Sequence, residues 1–367
     1  MRMLPATLVA GLALALPAAA QEEPKGAPSP GEIVAAAPAA DWIAIAPSDL
    51  LVMTLAPDRD GAKRQVTIQL MPPPFSQGWV GNIRKLAAAH WWDGLAITRV
   101  QDNYVAQWGD PDAEDKVKAK ALPADLAAMT DNEYATTRLF LPEIAKQHGL
   151  AWQTLGYMFL RNALNAADLE LTVPPDFERA LESGDEAAIP EPDLPHFPDP
   201  YAGISSHLLG WPVASGDLKL ASDASPKFWP VHCYGMVGVG RGYSPDTGSG
   251  AELYTVIGHA PRHLDRNIAL VGRVVEGIEH LSSLPRGTGA LGFYEKPEQR
   301  VPIQSIRLAS ELPAAEQPRF EYLSTESDSF ARYAEARANR RDPFFIVPAG
   351  GADICNIPVP VRRMTAK

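Results

Sequence analysis

Two stretches of the chain carry the residues able to do chemistry. Residues 91–110 hold a strand-like arginine, Arg99, with polar neighbours Asn103 and Gln107, aromatics Tyr104 and Trp108, and Val105. Residues 235–277 add Tyr254 and Leu264. That mixture suits a concave apolar pocket beside one fixed cation. It lacks an evident nucleophile or general base, so its chemistry would be apolar binding next to a charge rather than covalent attack. The plainer alternative is an ordinary barrel core with a surface arginine.

Other motifs lead elsewhere. Gly287-Thr288-Gly289-Ala290-Leu291-Gly292 matches the spacing of a dinucleotide fingerprint. A helix and Pro285 precede it, however, and Lys296-Pro297 follows where a helix should begin, so it reads as a turn. There is no G-x-S-x-G elbow, Walker A loop or H-E-x-x-H. Ser249 lies between glycines with no spaced His/Asp set to activate it. His259 and His263 stand four apart, but Pro261 between them argues against a shared helical face and hence against paired metal ligation. No metal and no cofactor are assigned. Asp110, Asp112 and Asp115 read as a solvated acidic loop. Cys233 and Cys355 could close a long loop in an oxidising compartment, while Cys233, in an apolar strand, equally suits an inert small hydrophobe.

The chain has 367 residues, 46% hydrophobic, with 35 prolines and 2 cysteines. This excludes a disordered chain, a disulfide-dense miniprotein and a four-cysteine zinc site. The net charge of −11 argues against nucleic-acid binding through bulk charge. Residues 1–20 read as a secretory signal: Arg2, the apolar run Leu8–Leu16, then Ala18-Ala19-Ala20 before the cut. The run is too short for a permanent anchor and no later stretch could span a bilayer. The chain is therefore expected to be exported, to the periplasm, with cleavage near Ala20. Residues 21–42, rich in Pro and Ala, read as a flexible leader.

Strand signals fall at Leu50–Leu55 and Arg64–Leu70, joined by a turn at Asp58–Gly61. A helix follows at Val80–His90, then a turn, two short strands and a loop over Trp91–Asp110. Glu133–His148 and Trp152–Ala167 read as helices. Ten prolines between Leu171 and Pro230 predict loops with short pieces of order. Strand patterns resume over Val231–Gly242, Glu252–Ile257 and Ile268–Val274. A helix is expected at Val275–Ser283, a closing strand at Gln304–Leu308 and a tail helix at Ser327–Arg341.

Several of these segments resemble the cyclophilin-type peptidyl-prolyl isomerases. Trp92-Asp93-Gly94-Leu95-Ala96-Ile97-Thr98-Arg99-Val100 is similar to the family's F-Y-D-G-x-x-F-H-R-V, and Tyr104-Val105-Ala106-Gln107-Trp108-Gly109-Asp110 to F-M-x-Q-G-G-D. Gly235–Gly240 stands where the family has G-x-L-S-M-A, and Glu252-Leu253-Tyr254 is similar to Q-F-F. Leu264-Asp265 resembles the L-D after a usual tryptophan, and Val271–Gly277 resembles F-G-x-V-x-E-G. Asn82 in Val80–Ala89 takes the asparagine's place in A-V-x-N-F-x-x-L. The blocks keep their order across residues 49–110 and 231–309.

The resemblance implies a mostly β fold: a closed eight-stranded barrel capped by two helices. Its first part would be 43–110 and its second 231–311, split by an insertion at 111–230 and followed by an extension at 312–367. It also implies a cofactor-free isomerase acting on proline-containing polypeptides. Arg99 would donate to the twisted amide, and Gln107 would hold the substrate carbonyl or orient Arg99. Tyr104, Val105, Tyr254 and Leu264 would line the proline slot, with the Gly240 and Arg241 backbone pairing the peptide. Glu252, His263 and Ile268 stand at positions where the family has Gln, Trp and His; Thr98 and Trp108 replace its His and Gly. Glu252 can pair with Arg99 and tie up its donors, so slower turnover and weak binding of cyclosporin-like macrocycles are expected. The alternative function is a low-activity binding or chaperone module for envelope proteins.

Overall fold

A computed structural model describes residues 26–136, 199, 201–216 and 227–364. Its helices are α1 (Pro30–Ala35), α2 (Gln77–Ala88), α3 (Glu279–Ser282) and α4 (Asp328–Ala338). The strands in chain order are β1 (Trp42–Ala44), β2 (Leu50–Leu55), β3 (Arg64–Leu70), β4 (Ala96–Val100), β5 (Val105–Gly109), β6 (Ile204–Leu208) and β7 (Trp211–Ser215). There follow β8 (Phe228–Pro230), β9 (Met236–Val239), β10 (Leu253–Val256), β11 (Leu270–Glu276), β12 (Val301–Leu308), β13 (Phe320–Leu323) and β14 (Val361–Arg363).

Eight strands close an antiparallel barrel in the order β10-β5-β4-β12-β2-β3-β11-β9. The expected hairpin of β2 and β3 forms in register from Leu50↔Gln69 to Leu55↔Arg64. β12 sits between β2 and β4, so neither hairpin of the first segment pairs directly with the other. The core is filled by large apolar side chains, among them Met53, Ile97, Trp108 and Val239. Helix α2 covers the barrel with Trp79, Ile83 and Leu86, all buried and spaced three or four apart. The second helix is shorter than the pattern predicts. Val275 and Glu276 stay in β11, where Glu276 pairs with Thr67, and Gly277 at φ +82° breaks the chain before a four-residue α3.

The expected flexible leader is ordered from Pro30 to Ala44. Ser29 and Glu32 form a capping box on α1, and Trp42 of β1 is buried. The partner that orders this segment lies far away: β1 pairs with β13, and α1 packs on α4. Tail helix α4 starts where Ser327 Oγ accepts the Phe330 N–H, and buries Phe330, Tyr333 and Ala334. The proline-rich segment also carries more order than expected. β6, β7 and β8 make a three-stranded sheet, with β6 and β7 joined by Leu209-Gly210, both at positive φ. Pro212 fits in β7 as its second residue, its carbonyl accepting the Val231 N–H at 3.1 Å. The expected helix at Trp152–Ala167 and most of that at Glu133–His148 lie outside the described residues, as does the secretory signal.

Cys233 and Cys355 form a disulfide across 122 residues, fastening the C-terminal extension to the barrel. Closing a loop of that size restricts the unfolded chain strongly. Cys355→Ser is expected to cost about 3 kcal/mol in urea unfolding, and to speed proteolysis of the extension first. An unchanged midpoint would show the extension held by packing alone. Among the described residues, no helix is long and apolar enough to cross a membrane, and no group of three or more His, Cys, Asp or Glu could hold a metal.

Candidate active site

The site is built on the outer face of β4, β5 and β10. Strand periodicity puts Val105 and Gln107 on one face of β5, and Tyr254 and Val256 on the matching face of β10, with pairs Tyr254↔Gln107 and Val256↔Val105. Val105, Tyr254 and Val256 are buried there against Tyr104, Leu264 and Ile268. His263, exposed at the rim, stacks its ring on Tyr104 with centroids 6.5 Å apart. The structure thus gathers the expected slot residues from three separate segments of the chain.

Arg99 stands beside this apolar cluster. The β4–β5 ladder shifts register between Ile97 and Arg99, and the irregularity puts Arg99 opposite Gln107. Its Nε–H donates to the Leu291 carbonyl at 2.6 Å, one terminal nitrogen donates to Gln107 Oε1 at 3.2 Å, and the other donates to Gln101 Oε1. A guanidinium has five N–H donors, so two remain for a ligand. The cation lies 5.6 Å from the Tyr104 ring centroid and 5.3 Å from that of Phe293. Half-buried, it is held below the usual arginine pKa by desolvation. Among the described residues no carboxylate forms an ion pair with it.

Glu252 does not take Arg99's donors, contrary to expectation. Its Oε1 accepts the Asp110 N–H at 2.7 Å, and its carboxylate is bonded to the Gln107 side chain. Gln107 therefore bridges Glu252 and Arg99. Asp110 is buried rather than solvated, its carboxylate accepting the backbone N–H groups of Asp112 and Lys120. Gly240 spends its N–H on the Glu252 carbonyl, so a peptide pairing there would use its carbonyl. The Arg241 side chain donates to the Asn267 carbonyl, next to Ile268. Ser249 is a loop serine, its Oγ accepting the Ala251 N–H. The loop before Glu252 is fixed from beneath by α2 and its neighbours: Trp79 Nε1–H donates to the Gly248 carbonyl, Asn82 to that of Ser249, and Trp92 to that of Ala251.

Burial pushes the Glu252 carboxyl up to about 7. A folded-state value above the unfolded one means that stability is full below about pH 4.5 and falls as pH rises through 7. The loss is on the order of 3 kcal/mol at most. Glu252→Gln keeps an acceptor for Asp110 and should abolish this component. Thermal melts at pH 5 and pH 8 test it: the wild type should lose more stability over that interval than the variant. Equal losses would refute it.

One feature was not legible in the sequence. The Tyr254 hydroxyl donates to His232 Nε2 at 2.9 Å, and His232 Nδ1–H donates to Asp265 Oδ1 at 2.9 Å. Asp265 Oδ2 accepts the Arg262 Nε–H at 2.7 Å. His232 is fully buried and desolvation lowers its pKa, so the neutral tautomer suits both bonds. Burial likewise holds the Tyr254 phenol well above its usual value. The chain anchors the slot's tyrosine from behind rather than activating it. Its only sequence signal is a buried tyrosine at a phenylalanine position, which needs a partner for its hydroxyl.

The closed eight-stranded antiparallel barrel with helices against it is cyclophilin-like, and it sets an arginine beside an outer cluster of apolar side chains. The family model for cyclophilin type peptidyl-prolyl cis-trans isomerase/CLD matches residues 65–308, well over half of the chain. The chain belongs to the cyclophilin-type peptidyl-prolyl cis-trans isomerase family. A crystal structure of the cyclophilin AquaCyp293 from Hirschia baltica superposes with a TM-score of 0.57 at 19% identity, covering 89% of this chain and 94% of that one. At that identity the likeness is one of fold. A cyclophilin type peptidyl-prolyl cis-trans isomerase of Cryptosporidium parvum, crystallised in the presence of the dipeptide Ala-Pro, gives 0.32 at 10% identity over 70% of this chain and 98% of that one. No curated protein matches the chain.

Proposed function

We propose that this protein is an active peptidyl-prolyl cis-trans isomerase working on exported, periplasmic polypeptides. The observation that carries the reading is Arg99: a half-buried guanidinium beside an apolar cluster, with two N–H groups unspent and no carboxylate paired to it among the described residues. Rotation about an amide must cross a barrier of about 18–20 kcal/mol because the nitrogen lone pair is conjugated with the carbonyl. Halfway through, conjugation is lost and the nitrogen becomes an acceptor. A donor fixed there stabilises the twisted state more than either planar isomer. Val105, Tyr254, Leu264 and Ile268 offer the proline ring an apolar seat. Gln107, bonded at both ends, orients Arg99 rather than waiting for a substrate carbonyl. No bond to carbon is made or broken, so no nucleophile or cofactor is required.

The periplasmic part of the reading rests on residues 1–20, and N-terminal sequencing of protein recovered from that compartment should begin at Gln21. The activity is tested by adding wild-type protein to Xaa-Pro peptides and following cis–trans exchange by NMR. Exchange cross-peaks growing with substoichiometric protein support it. Exchange at the uncatalysed rate, at any protein concentration, overturns it.

A further inference from the structure

We propose that Leu291 and Phe293 form an apolar subsite beside Arg99 that takes an apolar side chain flanking the substrate proline. The proposal rests on the proline-slot reading and adds to it a preference among peptides.

The glycine-rich run that resembles a dinucleotide fingerprint is a loop packed tightly on the turn between β4 and β5. A Cβ on Gly287 would lie 2.0 Å from the Gly292 carbonyl oxygen, and one on Gly292, at φ +81°, 2.7 Å from Gln101 Cα. The backbone is tied to β4 by Gly287 N–H to the Val100 carbonyl and Tyr294 N–H to that of Thr98, with Phe293 bridged to Arg99. Arg286 adds an ion pair to Asp102. Side-chain bulk is thus excluded from the inner face of the loop, and the two apolar side chains of its tip remain outside. Leu291 is 67% exposed and Phe293 40%.

Leu291 holds an unusual backbone for a residue with a branched side chain, φ 55°. Its carbonyl accepts the Arg99 Nε–H. The conformation is what a loop needs if its carbonyl is to reach the guanidinium while the side chain stays at the surface. The occupant follows from continuity. Tyr104, a wall of the slot, and Phe293 both lie against the Arg99 cation. The guanidinium is thus bordered by Tyr104 and by Phe293, and a peptide with its proline seated against Tyr104 would extend past Arg99 toward Phe293 and Leu291. A polar flanking residue gains nothing there, whereas a leucine or phenylalanine leaves water.

The test compares matched peptide pairs carrying Leu or Ser before the proline, and a second pair varied after it, with kcat/KM from NMR exchange. In one of the two pairs the wild type should favour the Leu peptide about tenfold, mainly through KM. The ratio should fall towards one in Leu291→Ser and, independently, in Phe293→Ala. The ratio is the readout, so a general loss of rate in a variant does not decide the matter. Equal values for both wild-type pairs, or a ratio surviving in both variants, would overturn the subsite. Should the wild type turn over neither set, the isomerase reading falls while the subsite is still decided by titrating the same peptides against isotope-labelled protein. Tenfold tighter binding of the Leu peptide that is lost in Leu291→Ser upholds it; equal affinities overturn it.

Discussion

Replacing Arg99 by alanine should lower kcat/KM by a hundred- to a thousandfold, the range for removing one preorganised donor from a site where charge or lone-pair density develops. The loss should fall on kcat, because the hydrogen bond matters most when the amide is twisted. Arg99→Lys should recover little. An ammonium has three donors and no planar fork, and cannot hold the Leu291 carbonyl, Gln101 and Gln107 while still donating to substrate. Gln107→Leu should cost less, since Nε would still be held by Leu291. NMR exchange at saturating peptide separates these cases. A loss below tenfold in Arg99→Ala would remove the arginine from the mechanism.

The second large effect concerns stability. Arg273→Ala is expected to cost about 4 kcal/mol, read as a shift of the urea midpoint with an unchanged slope. Arg273 is buried on β11 with no carboxylate paired to it among the described residues; burial pulls its pKa down to about 10, which leaves it charged. Its Nε–H donates to Gln69 of β3, and a terminal nitrogen donates to the Gly210 carbonyl in the turn between β6 and β7. Its charge lies 4.5 Å from the Trp211 ring centroid and 5.7 Å from that of Tyr322 on β13. One side chain thus joins the barrel, the inserted sheet and the C-terminal extension. Alanine would leave two buried acceptors unpaired and a void between two rings. Arg273→Met, which fills the void, should recover part of the loss. A cost under 1 kcal/mol for the alanine variant would mean that the three units are held together by other contacts.

How far the residues announced all this depends on how local each determinant is. The apolar run Leu50–Leu55, the alternation in Arg64–Leu70 and the turn between them are neighbours in the chain, and they form as read. Arg99, Tyr104 and Gln107 sit within nine residues of one another, and their spacing defines half of the slot. Elements ordered by distant partners were not visible. Trp42 and Pro30 are buried because of β13 and α4, nearly 300 residues further on. Glu252 chose the Asp110 amide over Arg99 because Gln107 lies between them. His232 carried no local mark at all, since both its partners are made by other strands and loops.

The position of β12 between β2 and β4 bears on how the molecule is assembled. A ribosome that has made the first three hundred residues has delivered seven strands that can pair in the order β4-β5-β10-β9-β11-β3-β2, an open sheet whose outer edges on β4 and β2 keep unsatisfied amides. Residues 301–308 join those two edges and close the ring. Closure of the barrel is thereby ruled out for most of synthesis and must be a late, non-local event. Until then the nascent polypeptide presents open strands that call for protection against self-association.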